Sequence, residues 1–149
     1  MISQTAEYAL RAVVFLADRA DAPQTTQQIA KVTCVPAGYL AKVMQGLRRA
    51  GLVAAQRGLH GGFSLARPAA ELTVLDVVRA VDPLPRIERC PLGIEGHQTL
   101  CPLHRRLDSA VALVEKALSE STIAELLVEP KRGKGPKPLC SLTSSPGHP

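Results

Sequence analysis

Between Thr25 and Ala66 the chain carries two short helical patterns followed at once by a glycine-rich hairpin, and this succession limits its possible folds most strongly. Thr25 and Gln28 have the spacing of a capping box that opens a short helix. Pro36 marks the first turn of another helix, whose apolar spacing ends near Gly51. Two short helices joined by a tight turn form a helix-turn-helix.

The next segment, LVAAQRGLHGGFSLAR, predicts a β-hairpin. Two strand-like runs, Leu52 to Gln56 and Phe63 to Ala66, flank a basic tip at residues 57–62. The glycines of this tip allow the chain to turn sharply. A hairpin directly after a helix-turn-helix is a wing.

Further helices are predicted on both sides of this unit. Ser3 can cap a first helix that runs to about Ala20, and Thr73 can cap another that ends at Pro83. After a loop of about twenty residues, a long amphipathic helix and a short helix at 122–128 follow. The residues from 129 onward are rich in Pro, Gly, Ser and Lys and are expected to be disordered.

Acidic residues are absent from the predicted helix-turn-helix and wing. From residue 22 to residue 70 there is no Asp or Glu, although the rest of the chain carries 13 acids. The cations of the same stretch are Lys31, Lys42, Arg48, Arg49, Arg57 and Arg67. Because such a surface would not repel phosphates, the charge distribution predicts binding to double-stranded DNA. The net charge of +5 is only modest support.

The fold class is therefore mainly α: a winged helix-turn-helix domain, made of helices and a two-stranded β-hairpin wing, with a long C-terminal dimerisation helix. We expect the DNA-binding domain at 1–83, a sensor or cofactor loop at 84–101, the dimerisation helix and short terminal helix at 102–128, and the disordered tail at 129–149. The apolar stripe on the long helix suits a partner helix in a homodimer, or else packing against its own domain. This stripe contains Leu103, Leu107, Ala110, Val114 and Ala117.

Length and composition exclude other classes of protein. A chain of 149 residues with 3% aromatic residues suits one small domain with an aliphatic core. Charge interrupts the apolar runs before the roughly 20 residues that cross a bilayer, and the start lacks a signal-peptide pattern. We therefore expect a cytoplasmic protein without a membrane partner. No catalytic motif is present, so neither enzymatic activity nor a small-molecule substrate is expected.

The run VPAGYLAKVMQGLRRAGLVAAQRGLHGGFSLARPAAELTVLDVVRAV strongly resembles the Rrf-type (BadM/Rrf) winged helix-turn-helix regulators. The similarity begins at TAEYALRAVVFLA and extends to about residue 127. Members of this family include an iron-sulfur regulator, a nitric-oxide sensor and a cysteine regulator. The resemblance implies a dimeric transcription regulator, a repressor or an activator, that binds a palindromic operator.

Side chains suited to contact DNA lie on the predicted second helix of the motif and on the wing. Tyr39, Lys42, Gln45 and Arg49 follow one another at helical steps of three to four, although Tyr39 could equally be a core residue. The resemblance implies that Arg57 enters the minor groove. The full predicted set is Thr26, Gly38, Tyr39, Lys42, Gln45, Arg48, Arg49, Arg57, Gly58, His60, Gly61 and Gly62.

The long loop holds the candidate cofactor ligands. Iron-sulfur members of the family use three cysteines here, and Cys90 and Cys101 match the first and last of them. The middle position falls near His97 and has no cysteine, which argues against a four-iron cluster. The spacing from Cys101 to His104 places both side chains within reach of one metal ion. In some members a carboxylate on the first helix of the opposite subunit completes the cluster, and Glu7 occupies the matching place.

The resulting hypothesis is a two-iron cluster, or a zinc or iron ion, held by Cys90 and Cys101 with one or two of His97, His104 and Glu7. For a single metal ion the predicted ligands are Cys90, Cys101 and His104. The two cysteines could instead form a redox-active thiol pair or be small buried residues, and Glu7 could be an ordinary acid of a helix N-terminus. The alternative functions are a cofactor-free regulator and a winged-helix adaptor that binds proteins.

Overall fold

The computed structural model describes residues 2–93 and 99–128. Its elements, in chain order, are α1 (Gln4–Asp18), α2 (Thr26–Thr33), α3 (Ala37–Arg49), β1 (Val53–Gln56), β2 (Gly62–Leu65), a 3-10 turn (Ala69–Glu71), α4 (Val74–Val81), α5 (Pro102–Glu120) and α6 (Ile123–Leu127). The predicted fold class, a mainly α winged helix-turn-helix with one long C-terminal helix, is confirmed.

Helix α1 lies at the centre of the core and packs against α2, α3, α4, α6 and β2. It begins after Ser3, whose hydroxyl accepts a hydrogen bond from the Ala6 N–H at 3.2 Å. Ala6, Ala9 and Ala12 are fully buried, and these small side chains allow neighbouring elements to approach closely. Phe15 is the only aromatic residue among the buried residues described, so the core is aliphatic, as the composition predicted.

Local hydrogen bonds fix the two helices of the helix-turn-helix. The predicted capping box is present: Thr25 Oγ1 accepts from the Gln28 N–H at 3.2 Å, and Gln28 Oε1 accepts from the Thr25 N–H at 2.7 Å. After α2 the chain turns at Cys34, which adopts a φ of 55°, and α3 follows directly. Leu40 and Leu47 on the inner side of α3 are buried in the shared core.

The wing is an antiparallel pair of strands whose register runs from Val53 opposite Leu65 to Gln56 opposite Gly62. A third segment is paired with it. The Gln24 N–H donates to the Phe63 carbonyl, and the Phe63 N–H donates to the Gln24 carbonyl, both at 2.8 Å. The wing is therefore fastened by backbone hydrogen bonds to the residue just before the start of the helix-turn-helix.

Helix α6 returns to the core that the first four helices build. Ile123 is fully buried there, and its N–H donates to the Leu72 carbonyl at 2.8 Å. A second hydrogen bond, from the Val74 N–H to the Ser121 carbonyl at 2.9 Å, joins the same two segments. Thus the end of the described chain is packed on the winged-helix unit.

Helix α5 leaves much of its apolar surface exposed. It has no fully buried residue, and Leu103, Leu107 and Leu113 are 59%, 47% and 68% exposed. In a single copy of the chain, the apolar stripe that the sequence identified is thus mostly uncovered. None of the described helices, α5 included, combines the length and apolar character that crossing a membrane requires.

Candidate DNA-binding surface and metal site

The outer side of α3 presents the polar side chains that the sequence pointed to. Helical geometry places these positions opposite the buried stripe of α3, whose members are Leu40, Val43, Met44 and Leu47. On α3 the exposed positions of the predicted set are Gly38, Tyr39, Lys42, Gln45, Arg48 and Arg49. A groove of about 350 Å³, which also touches α1 and α4, is lined in part by Lys42, Gln45 and Arg49. Tyr39 lines the same groove, so the structure brings four of the predicted DNA-contacting residues together there.

Tyr39 occupies an intermediate position between core and surface. It is 40% exposed, and its ring packs edge-on against Tyr8 of α1 with 5.5 Å between ring centres. Its hydroxyl lies 2.6 Å from Thr5 Oγ1. Thr5 is a residue of this groove that sequence reasoning missed, because it lies outside the acid-free stretch and in an ordinary helical turn.

The cations of α3 and the wing have no carboxylate partners in the part of the chain that the structure describes. None of the ion pairs found there involves Lys42, Arg48, Arg49 or Arg57. By contrast, Arg67, at the end of the acid-free stretch, lies 3.6 Å from Asp76 of α4. Because no neighbouring carboxylate offsets the field of these cations, this surface attracts anions more strongly than the paired arginines do.

The wing tip depends on its glycines. A Cβ atom on Gly61 would lie 2.4 Å from the Gln56 carbonyl oxygen, and one on Gly62 would lie 2.6 Å from the Gln24 backbone. Gly58 and Gly62 also have positive φ angles, of 112° and 150°. This backbone leaves Arg57 and His60 exposed at the tip. Leu59, which the sequence reasoning did not single out, is 96% exposed beside them.

Thr26, the remaining residue of the predicted DNA-binding set, is the first residue of α2 and is half-buried. The backbone bridge between Gln24 and Phe63 brings this helix start close to the wing. Sequence reasoning did not identify Gln24, because a backbone contact between distant segments leaves no pattern in residue types.

The second candidate site lies where the loop after α4 meets the start of α5. Cys101 is the N-cap residue of α5, and His104 lies in its first turn. His104 Nδ1 is 3.0 Å from Cys101 Sγ and 3.6 Å from Cys90 Sγ. The potential ligand atoms of Cys90, Cys101 and His104 all lie within 4.8 Å of one another.

Hydrogen bonding favours the thiolate form of Cys101. The backbone N–H of His104 has the largest effect, the His104 imidazole and Cys90 act in the same direction, and partial burial opposes them. Together these contacts lower the pKa of the Cys101 thiol from 9.0 to about 7. Since a thiolate is the form of cysteine that binds metals, the site is prepared for a cation.

The geometry of this cluster fits a metal ion. Bonds of about 2.0–2.3 Å to a tetrahedral zinc ion separate its ligand atoms by roughly 3.5–4 Å. The separation of 3.6 Å between Cys90 Sγ and His104 Nδ1 lies in this range, and the separation of 3.0 Å between Cys101 Sγ and His104 Nδ1 is somewhat shorter. Two sulfur ligands and one imidazole nitrogen are donors that zinc and iron both accept. The three residues leave one tetrahedral position for a further ligand.

Two of the predicted cofactor ligands are not part of this cluster. His97 lies outside the described residues. Glu7 is exposed in the first turn of α1 and is not among the residues that approach one another here within one chain. The structure therefore assembles Cys90, Cys101 and His104 from the predicted set.

Comparison with known proteins identifies the family and the fold. A family model, Rrf2, described as an iron-dependent transcriptional regulator, matches residues 2–129. The solved structure of CymR, the global cysteine regulator of B. subtilis, is 26% identical with a TM-score of 0.69, covering 85% of this chain and 95% of that one.

Two further solved structures share the fold. CymR of Staphylococcus aureus is 26% identical with a TM-score of 0.66, covering 83% of this chain and 95% of the other. IscR of T. potens is 23% identical with a TM-score of 0.74, covering 92% of this chain and 93% of that chain. Because the family model spans residues 2–129 of the 149 in the chain, this protein belongs to the Rrf2 family of DNA-binding transcriptional regulators and is not an enzyme.

Proposed function

We propose that this chain is a cytoplasmic, homodimeric regulator that binds a palindromic operator in double-stranded DNA. Helix α3 enters the major groove, and the wing tip brings Arg57 to the minor groove. The observation that carries this proposal is the set of unpaired cations described above, on a surface without a single carboxylate from residue 22 to 70. A protein-binding adaptor would have no reason to exclude every acidic residue from this surface.

The uncovered apolar stripe of α5 supports the homodimer. Leu103 and Leu107 lie one helical turn apart and are about half exposed in a single copy. A second copy, packed antiparallel or crossed against the same stripe, would cover both residues. Two-fold symmetry would then present two copies of α3 to two half-sites of a palindrome.

Cys90, Cys101 and His104 form the switch in this proposal, by holding an inorganic cofactor. Their potential ligand atoms, all within 4.8 Å of one another, are close enough to bind one zinc or iron ion. A two-iron cluster, which the missing middle cysteine favours over a four-iron cluster, needs four protein ligands, and Glu7 of the partner subunit is the candidate for the fourth. The cofactor would supply a charge and a coordination geometry that depend on metal supply or redox state.

The DNA-binding part of the proposal is tested by Arg57→Ala. We expect its affinity for the operator to fall by roughly ten- to a hundredfold, with relaxed selection at one base step. Arg67→Ala is the matched control, since Arg67 is already paired with Asp76 and its loss should change affinity little. Wild-type affinity and selectivity in Arg57→Ala would contradict the minor-groove role.

The cofactor is tested by the metal content and visible spectrum of protein purified without oxygen. A brown preparation that loses its colour in Cys90→Ala would identify an iron-sulfur cluster. A colourless protein with about one zinc per chain, lost in the same variant, would identify a single ion. Protein free of metal would contradict the switch and leave the cofactor-free regulator.

A further inference from the structure

Arg86 lies four residues before Cys90, on the segment that carries this cysteine to the cluster, and it is anchored to α5. Its Nε donates to Asp108 Oδ1 at 2.7 Å, and its Nη2 donates to Asp108 Oδ2 at 2.6 Å. Such a two-point contact between guanidinium and carboxylate fixes both distance and direction. Its remaining nitrogen, Nη1, lies 3.4 Å from Glu115 Oε2.

Asp108 holds the backbone of the same segment as well. Its Oδ1 also accepts a hydrogen bond from the Ile87 N–H at 2.9 Å, so two consecutive residues of the loop are attached to one carboxylate. Asp108 lies one helical turn beyond His104, and residues four apart share a face of a helix. The loop therefore crosses α5 directly beside the imidazole of the cluster.

The carboxylates of this contact are sheltered although Arg86 is partly exposed. The Asp108 and Glu115 side chains are only 19% and 15% exposed. Hydrogen bonds from the Arg86 side chain, with help from the Ile87 N–H, lower the pKa of Asp108 to about 2. Glu115 is also paired with Arg79 of α4 at 3.0 Å. Glu115 is thus held from two sides, by Arg79 of α4 and by Arg86 of the loop.

We propose that Arg86 and Asp108 are positioning residues for the metal site, which seat Cys90 against Cys101 and His104. Cys101 and His104 are fixed relative to each other by the first turn of α5, whereas Cys90 arrives on a segment with no regular secondary structure. The contacts of Arg86 and Ile87 with Asp108 are what fix this segment on α5. This inference rests on the proposed metal-binding role, and its test separates the two.

The first test is titration of the metal-free, reduced full-length protein with Co²⁺, whose charge-transfer absorption reports thiolate ligands. In Arg86→Gln and Asp108→Asn we expect Co²⁺ to bind about tenfold more weakly or worse, the effect typical of lost supporting contacts. Removing a positive charge would by itself strengthen the binding of a cation, so weaker binding in Arg86→Gln reports position and not charge.

Two further variants separate the effect of the two-point contact from the effect of charge alone. Glu120→Gln removes a negative charge from α5, where Glu120 forms an exposed ion pair with Lys116. This variant should bind Co²⁺ as tightly as the wild type does. Arg86→Lys keeps the charge but cannot form the two-point contact, so it should remain weaker than the wild type. Far-UV circular dichroism of each variant checks that the fold is unchanged.

The second test needs no metal. A reagent that links two thiols across a few ångströms, such as dibromobimane, should join Cys90 to Cys101 several times faster in the wild type than in Arg86→Gln, with the linked pair identified by peptide mass. Equal linking rates and equal Co²⁺ affinities in the wild type, Arg86→Gln and Asp108→Asn would overturn the positioning role. A wild type that does not bind Co²⁺ would contradict the proposed metal role, while the linking rates would still decide the positioning role.

Discussion

Replacing Gly62 with alanine tests how firmly the wing is fastened to the helix-turn-helix. Gly62 has a φ of 150°, and a Cβ atom there would lie 2.6 Å from the Gln24 backbone. Gly58 offers a matched control, because its φ of 112° is also one that alanine rarely adopts but nothing lies within 4 Å of its Cβ position. The difference between the two variants isolates the contact with Gln24.

The expected cost follows from these contacts. A positive φ costs an alanine about 1–3 kcal/mol in either variant, and the exposed tip can relax part of this at Gly58. In Gly62→Ala the Cβ atom also forces the wing away from Gln24. The two hydrogen bonds between Gln24 and Phe63 would then be lost, at about 1–3 kcal/mol between them. The combined cost in Gly62→Ala is about 2–6 kcal/mol, which is below the stability of a domain in the middle of the usual range of about 5–15 kcal/mol, so both variants should remain folded.

The assays are urea unfolding and operator binding of both variants. Gly62→Ala should unfold at lower urea than Gly58→Ala, and it should also bind DNA more weakly because Arg57 is carried by the displaced wing. Equal stability in the two variants would refute the fastening by Gln24. Reduced stability with unchanged DNA affinity would refute the role of the wing in binding.

Three other substitutions test separate parts of the structure. In a urea titration, Ile123→Ala should lower the free energy of unfolding by about 2–5 kcal/mol, because Ile123 is fully buried. Leu126→Ala, the control at an exposed position of the same helix, should lower it by less than about 1 kcal/mol. Leu107→Glu should shift the protein from dimer to monomer in sedimentation without unfolding it, since Leu107 is 47% exposed in one copy. A variant that dimerises as tightly as the wild type would show that the apolar stripe of α5 is not the dimer interface. Asp108→Asn should lower the melting temperature, relative to the wild type, at every pH above about 5. This difference in melting temperature should close as the pH falls from about 4 towards 2, because the carboxyl has a pKa of about 2 in the folded protein and about 3.9 in the unfolded chain. A difference that persists at low pH would contradict the ion pair.

The elements of this fold were predictable because their signals are local. A capping box needs only the pair Thr25 and Gln28, and a hairpin tip needs only a few neighbouring glycines. Both signals act within a few residues, so the sequence displays them directly. The Cys101 and His104 pair was predictable for the same reason, since both residues belong to one helical turn.

The contacts that the sequence did not predict join distant segments. Gln24 meets Phe63 through backbone atoms, which carry no side-chain signature. No sequence pattern predicted that the short helix of Ile123, which follows the long α5, packs against the core of the first four helices. Arg86 and Asp108 look like ordinary charged residues in the sequence, because nothing in residue type reveals which surface charges will meet. Cys90 was predicted as a partner of Cys101 and His104 only through the family resemblance.

In the proposed complex the cations of α3 and the wing lie against the DNA and neutralise its phosphate charge, and the salt dependence of operator binding measures this neutralisation. Lys42, Arg48, Arg49 and Arg57 are four cations per subunit, so a dimer that places all of them against the DNA, Arg57 in the minor groove included, should show a slope of log affinity against log salt of about −7. Arg57→Ala, which removes two of them per dimer, should reduce that slope by about 2. A slope near zero, or one that Arg57→Ala leaves unchanged, would contradict the account.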